Sequence, residues 1–246
     1  MKRRLILVAI AVFLFVVCTA CSRSPGRPGP HSEVIPPDEI MNFNILYSQN
    51  CAGCHGHGGE GGATIPLSDP VFLAIADDAA IRHVAANGVP GTPMPAFAQS
   101  AGGTLTDKQI DAIVSGIRSW AKPNLLRGQD LPPYTAPTPG DPHHGAEVFA
   151  TYCSACHGPD GRGGKKAGSI VNASYLALVS DQNLRIVVIV GVPEQGMPDW
   201  RDRVPGKPMS ASEISDVVAW LAAQRPRIPG QPLPNESESS VSKLIP

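Results

Sequence analysis

Apolar positions in this chain recur at helical spacing. Ile110, Ile113, Val114 and Ile117 form one such stripe, and Ile214, Val217, Val218 and Leu221 form another. That spacing lines one face of a helix. Both stripes follow the same start signal. Thr106 with Gln109, and Ser210 with Glu213, read as capping boxes, in which each side chain serves the other residue's backbone N–H. Leu105 with Ile110, and Met209 with Ile214, read as the accompanying hydrophobic staples. Further helices are expected at 38–50 and 143–153, and at 77–87 and 181–190. The run "RIVVIV" at 185–190 fits a buried strand equally well. Its counterpart "RHVAAN" carries two alanines, which favours helix for both. The reading is therefore all-α.

The elements come in pairs because the chain repeats. "CAGCHG" at Cys51 returns as "CSACHG" at Cys153, and "GHGGEGG" returns as "GPDGRGG". "IRHVAANGVPGTPMPAF" parallels "LRIVVIVGVPEQGMPDW", and "LTDKQIDAIVSGI" parallels "MSASEISDVVAWL". Two tandem domains follow, 38–121 and 142–225. A Pro-rich linker at 122–141 joins them, expected to be extended and semi-rigid. A flexible tether is expected at 21–37 and a disordered tail at 226–246.

Composition adds two points. Aromatics are only 5%, while Gly 25 and Pro 26 make about a fifth of the 246 residues. Long loops and few large rings suit a fold organised around something other than its own side chains. The N-terminus reads as a targeting segment. Lys2, Arg3 and Arg4 precede an apolar run from Leu5 to Val17, which is too short for an ordinary membrane span. Thr19 and Ala20 then precede Cys21, which resembles a bacterial lipoprotein signal with 1–20 removed and Cys21 lipidated. Cys18 stands where leucine is usual, and an uncleaved N-terminal anchor is the alternative. Either way the bulk of the chain is expected to be exported, held on the periplasmic or outer face of the cytoplasmic membrane. The formal net charge is −1, and losing 1–20 makes it more negative. No basic stripe marks a nucleic-acid surface.

The remaining cysteines form two pairs, Cys51 with Cys54 and Cys153 with Cys156, each followed at once by a histidine. A four-cysteine zinc site would have to join separate repeats, and an oxidising compartment disfavours free thiolates. A thioredoxin-like disulfide wants a βαβ setting, which is missing from the pattern. Cys-x-x-Cys-His is the attachment signature of haem c. Two thiols on one helical turn can each add to a porphyrin vinyl group, and His55 or His157 then meets the iron from the same side. A low-spin iron needs a sixth ligand, and a thioether suits it. Met94 and Met197 lie at matching distances beyond the two histidines. Each is followed by a proline and then an aromatic, Phe97 or Trp200. The repeat also removes rivals. His57 is matched by Pro159, His83 by Ile186, and Met209 by the staple residue Leu105.

Each unit resembles a class I cytochrome c domain, and the pair resembles the di-haem cytochromes c of bacterial respiratory and photosynthetic chains. The resemblance covers 38–121 and 142–225 and rests on CAGCH with Met94, CSACH with Met197, and the last helix with "VVAWL". It implies a few helices around one covalent haem c per domain, two haems in all, with His55/Met94 and His157/Met197 as axial pairs. It also implies a glycine on the N-terminal helix packed against an aromatic of the last. Gly145 and Trp220 fit this. In the first unit the matching residues are Phe43 and Gly116, an exchange of large and small partners at constant volume. The family further uses a proline carbonyl to accept the proton of the ligating histidine, a role expected of Pro66; the second unit has Gly168, Ser169 and Ile170 there. Arg82, Arg185 and Trp200 are the haem-propionate candidates, a guanidinium being suited to a carboxylate.

With both irons closed by His and Met, the expected function is electron transfer between partner redox proteins, as a shuttle or as a subunit of a membrane complex. No catalytic residues and no small-molecule substrate are expected. The alternatives are a haem enzyme, such as a di-haem peroxidase or a sulfur-compound dehydrogenase subunit, and a docking module.

Overall fold

The computed structural model describes residues 35–62 and 64–226. The signal segment, Cys21, most of the tether and nearly all of the C-terminal tail lie outside the described residues. Two units are distinguished. Of the first, ending at Glu39, the described part carries one short 3-10 turn, Pro37–Glu39. The second begins at Ile40 and contains both repeats.

The first repeat holds α1 (Phe43–Asn50), α2 (Ala52–His55), α3 (Pro70–Ile75), α4 (Asp78–Asn87) and α5 (Asp107–Arg118). The second holds α6 (Pro142–Tyr152), α7 (Ser154–His157), α8 (Ala173–Leu178), α9 (Asp181–Val190) and α10 (Ala211–Ala223). The order is the same in both. No strand occurs among the described residues, only the isolated bridges Ala98–Leu105 and Val192–Met197. "RIVVIV" is thus helical. No helix of the described residues is long and apolar enough to cross a membrane.

Local chemistry explains the boundaries. Both capping boxes form: the Thr106 N–H donates to Gln109 Oε1 at 3.0 Å, and the Ser210 N–H to Glu213 Oε2 at 2.8 Å. The first helix begins at Phe43 rather than at 38, because Asn42 caps it by accepting from the Ile45 N–H. Helices α3 and α8 have no clear signal in the sequence pattern. They are two-turn elements started by side-chain caps, Asp69 accepting from the Val71 and Phe72 N–H groups and Asn172 from those of Ser174 and Tyr175. Such short runs show little periodicity.

The core of each repeat lies where its terminal helices meet. In the second, α6 crosses α10 so closely that a Cβ at Gly145 would land on the Asp216 carbonyl. Phe149 and Trp220 stack beside that crossing with ring centroids 4.3 Å apart. In the first, the ring of Phe43 on α1 lies against the bare backbone of Gly116 on α5. Trp120, just past α5, packs edge-on to Phe43 at 5.3 Å and Tyr47 at 5.1 Å. The Pro-rich connector is strapped to the second repeat. Arg185, only 2% exposed, donates to the Pro133 carbonyl from Nη2 at 2.9 Å and to Tyr134 O from Nε at 3.2 Å. Gln182 adds a bond to Tyr134 O at 2.7 Å.

Candidate haem sites

The Cys-x-x-Cys-His segment occupies the same place twice. Helix α1 ends as the Cys51 N–H donates to Tyr47 O at 2.8 Å, and α6 ends as Cys153 donates to Phe149 O at 2.9 Å. The chain then makes one further helical turn, α2 or α7, which carries the second cysteine and the histidine. All four cysteines are free thiols. Burial pushes the Cys51 thiol up to about 11, helped by its neighbour Cys54, and burial raises Cys153 as well. The two pairs do not come together as a four-cysteine zinc site among the described residues. Nor does any group of three or more His, Cys, Asp or Glu side chains among the described residues come together as a metal cage.

The histidines are held by one ring nitrogen. His55 Nδ1 lies 3.0 Å from Ile65 O, and His157 Nδ1 lies 3.0 Å from Gly168 O. A carbonyl can only accept, so Nδ1 carries the proton and Nε2 keeps its lone pair for a metal. Burial also lowers the His55 pKa, which favours the neutral ring. The acceptor corrects the expectation for Pro66: the carbonyl is that of the preceding residue. Pro66 acts one step removed, since a proline restricts the residue before it to extended backbone. In the second repeat Ser169 replaces that proline, and glycine supplies the carbonyl without the restraint.

The methionine loops are built alike. The Val89 N–H donates to Met94 O at 3.0 Å, and the Val192 N–H to Met197 O at 2.8 Å. Three residues on, the Phe97 N–H reaches Ala85 O at 3.2 Å and the Trp200 N–H reaches Ile189 O at 3.1 Å. Each loop is therefore closed on itself at the methionine carbonyl and fastened to α4 or α9 three residues beyond it. Both methionines are half-buried, whereas Met209 sits in the core like Leu105.

The two arginine candidates are engaged elsewhere. Exposed Arg82 bridges α4 to α5 through Asp111 at 2.7 Å and Asp107 at 3.0 Å. Arg185 is committed to the connector carbonyls and to Ser215 Oγ at 3.2 Å. Twelve-residue spacing before each methionine matched them in sequence but not in environment. Trp200 belongs to the core, with the Arg201 guanidinium 4.8 Å over its ring. No feature of the sequence marks Arg203. Its Nη2 donates to Val188 O at 2.7 Å, while its buried Nε has no partner.

The fold and the two sites define a class: a tandem, all-α c-type cytochrome. The residues fit the cofactor that this class implies, covalent haem c. Each site offers two unpaired thiols on one turn and an imidazole whose Nε2 is left open. The chain belongs to the family of cytochrome c oxidase, cbb3-type, subunit III, whose model matches residues 38–115 and 140–221. It is 26% identical over 192 residues to the cbb3-type cytochrome c oxidase subunit FixP of Sinorhizobium medicae, covering 70% of this chain and 59% of that one. It is 28% identical over 186 residues to subunit CcoP of Cereibacter sphaeroides, covering 72% and 58%. For CcoP of Azospirillum sp. the identity is 33% over 133 residues, covering 50% and 40%. The chain thus spans less than two thirds of the length of these relatives.

Proposed function

We propose that this chain is a di-haem electron carrier that works as a subunit of a membrane-bound oxidase complex, passing electrons to a catalytic partner rather than catalysing itself. Cys51 and Cys54 would hold one haem c, and Cys153 and Cys156 the other. His55 with Met94, and His157 with Met197, would be the residues that ligate the two irons. When bound, haem c supplies a one-electron couple that needs no bond or proton change. The protein residues fix the tautomer, present the thioether and exclude water. The observation that carries the reading is the repeated tie of histidine Nδ1 to a backbone carbonyl, which leaves Nε2 as the free ring nitrogen at both sites.

Membership of the cbb3-type subunit III family supports the oxidase setting over a free shuttle or a photosynthetic chain. Lipidation at Cys21 after loss of 1–20 would hold the chain on the periplasmic or outer membrane face, next to such a complex. The domain limits 38–121 and 142–225, with the linker between, are part of the proposal.

The test is a haem count and a visible-region redox titration of the purified chain, with carbon monoxide added to the reduced form. Two haems per chain, two low-spin components and no carbon monoxide binding at neutral pH are expected. Binding at either haem would overturn the closed-site reading there. Recovery without any oxidase subunits from gently solubilised membranes would overturn the complex.

A further inference from the structure

The loop after each attachment motif has one backbone shape and two charge patterns. Gly56, Gly59 and Gly61 take φ of 80°, 73° and 105°, and Gly158, Gly161 and Gly163 take 78°, 74° and 111°. Such positive angles favour glycine, and here they repeat one turn. The Gly61 N–H donates to His55 O at 2.9 Å, and the Gly163 N–H to His157 O at 2.9 Å. Each loop then returns to the same histidine. The carbonyl facing its Nδ1 lies 10 residues on in the first repeat and 11 in the second.

The charges differ. Residues 56–64 carry Glu60 and no Lys or Arg, whereas 158–167 carry Arg162, Lys165 and Lys166 with a single acid, Asp160. Asp160 lies 3.2 Å from Arg162, and both are exposed. Lys165 and Lys166 are also exposed and make no ion pair among the described residues. They stand in the span whose two ends are bonded to His157, drawn together by the Gly164 N–H on Ala167 O at 2.9 Å. The other cations of this repeat are engaged. Arg185, Arg203 and Arg225 turn to backbone carbonyls, Arg201 to Asp199, and Lys207 to the Tyr152 ring. The wider balance points the same way. Residues 38–121 hold three Lys and Arg against eight Asp and Glu, while 142–225 hold eight of each.

We propose that the loop at 158–168 is a docking surface for a soluble one-electron carrier with an acidic face, and that the second site is the port where electrons enter. This rests on the reading of Cys153, Cys156 and His157 as a haem c site. A catalytic partner held permanently in a complex needs no steering. A diffusing donor does, and fixed opposite charge raises its encounter rate. Redox encounters bury little surface, so a short charged loop is enough to bias them. Because the loop is bonded to the histidine itself, a carrier drawn to it arrives against the attachment motif. One electron then leaves the carrier for the second site, with no bond or proton change there. The first repeat is acidic overall and has no cation in its matching loop, so it repels the same carrier.

The experiment mixes the oxidised full holo chain with reduced flavodoxin, a soluble acidic one-electron carrier, in a stopped-flow spectrometer, with a haem count on each variant. At low ionic strength, about 10 mM, Lys165→Glu/Lys166→Glu should lower the second-order rate constant about tenfold. Lys165→Gln/Lys166→Gln should lower it by a smaller factor. At about 150 mM the wild-type rate should fall towards those of the variants, because salt screens exposed charges. Lys108→Gln/Lys122→Gln removes two exposed lysines outside the loop and should leave the rate within about twofold of wild type. An unchanged rate in both loop variants would overturn the proposal, as would an equal fall in the Lys108→Gln/Lys122→Gln control. Loop-dependent binding to phosphatidylglycerol vesicles with an unchanged flavodoxin rate would overturn it too, and would give the loop to lipid. A wild-type chain with no haem at Cys153 and Cys156 would instead overturn the underlying site reading. If the charge-reversed variant fails to load its second haem, the glutamine pair decides.

Discussion

The ring of Phe43 lies on the bare backbone of Gly116, in the mirror image of the Gly145–Trp220 contact in the second repeat. Large and small have changed sides of the same helix crossing. The two glycines are not equally constrained. A Cβ at Gly116 meets the Phe43 side-chain ring near the start of α1, which must shift against Tyr47 and Trp120. At Gly145 it meets the Asp216 carbonyl, which belongs to the α10 backbone and cannot shift alone. Overpacking costs about 1–3 kcal/mol, offset by the roughly 0.5–1 kcal/mol that alanine gains over glycine within a helix. Gly116→Ala should therefore lose up to about 2.5 kcal/mol, and Gly145→Ala more. Urea denaturation of both holo variants checks this, and a greater loss in Gly116→Ala would contradict the geometry.

That exchange was legible in the sequence because the repeat set Phe43 opposite Gly145 and Gly116 opposite Trp220. The capping boxes and the apolar stripes of α5 and α10 were legible for a similar reason, since their signals are local. Long-range geometry was not. The His55 proton goes to the Ile65 carbonyl and not to that of Pro66, and nothing in the string distinguishes a proline's own carbonyl from the one before it. Arg82 and Arg185 share a register but not a fate. Asp107 and Asp111 keep one at the surface, while the connector, distant in sequence, draws the other inside. Trp120 lies one helical turn beyond Gly116, outside the matched positions. Its ring nevertheless covers Gly59, as Trp220 lies over Gly161.

His144 joins the crossing of α6 and α10 to pH. Its Nδ1 lies 2.7 Å from Asp216 Oδ2, and that hydrogen bond raises its pKa above the ordinary histidine value, with Asp141 and Glu147 adding to the pull. A folded pKa above the unfolded one means the contribution is fully present below about pH 6.5 and is lost as pH rises through the folded value. Stability curves of wild type and His144→Ala should thus diverge in acid and converge in base. Denaturant midpoints across that range measure it. A difference that grows with pH would contradict the pairing.

Arg82 and Arg185 should respond very differently to loss of charge. Arg82 is at the surface and its two carboxylates are largely solvated, so Arg82→Gln should leave the denaturation midpoint nearly unchanged. Arg185 is buried and satisfies the Pro133 and Tyr134 carbonyls. Hydrogen bonds from a charged group contribute about 1.5–3 kcal/mol, and the carbonyls would be left short of donors. Arg185→Met should therefore destabilise by about 2–3 kcal/mol and free the connector. Limited proteolysis between 128 and 140 should quicken in Arg185→Met and not in Arg82→Gln. Equal cleavage would mean the strap has another source.

The methionine assignment makes the sharpest spectroscopic prediction. Each loop is closed by a bond at its methionine carbonyl and fastened three residues later, to α4 in the first repeat and α9 in the second. Replacing the thioether should therefore empty the position without collapsing the loop. In Met94→Ala and in Met197→Ala, about half of the methionine–iron charge-transfer absorption should vanish, and the double variant should lack it. A thioether ligand raises the potential, so the affected component should fall in each single variant while the other holds. Carbon monoxide should then bind one reduced haem per chain in each single variant. Retention of the full band in Met197→Ala would mean that another sulfur serves the second haem. Met209 is a poor substitute, since it lies in the core opposite the staple position. Loss of the whole band from one substitution would show instead that the two sites do not stand independently, against the separate anchoring of their loops.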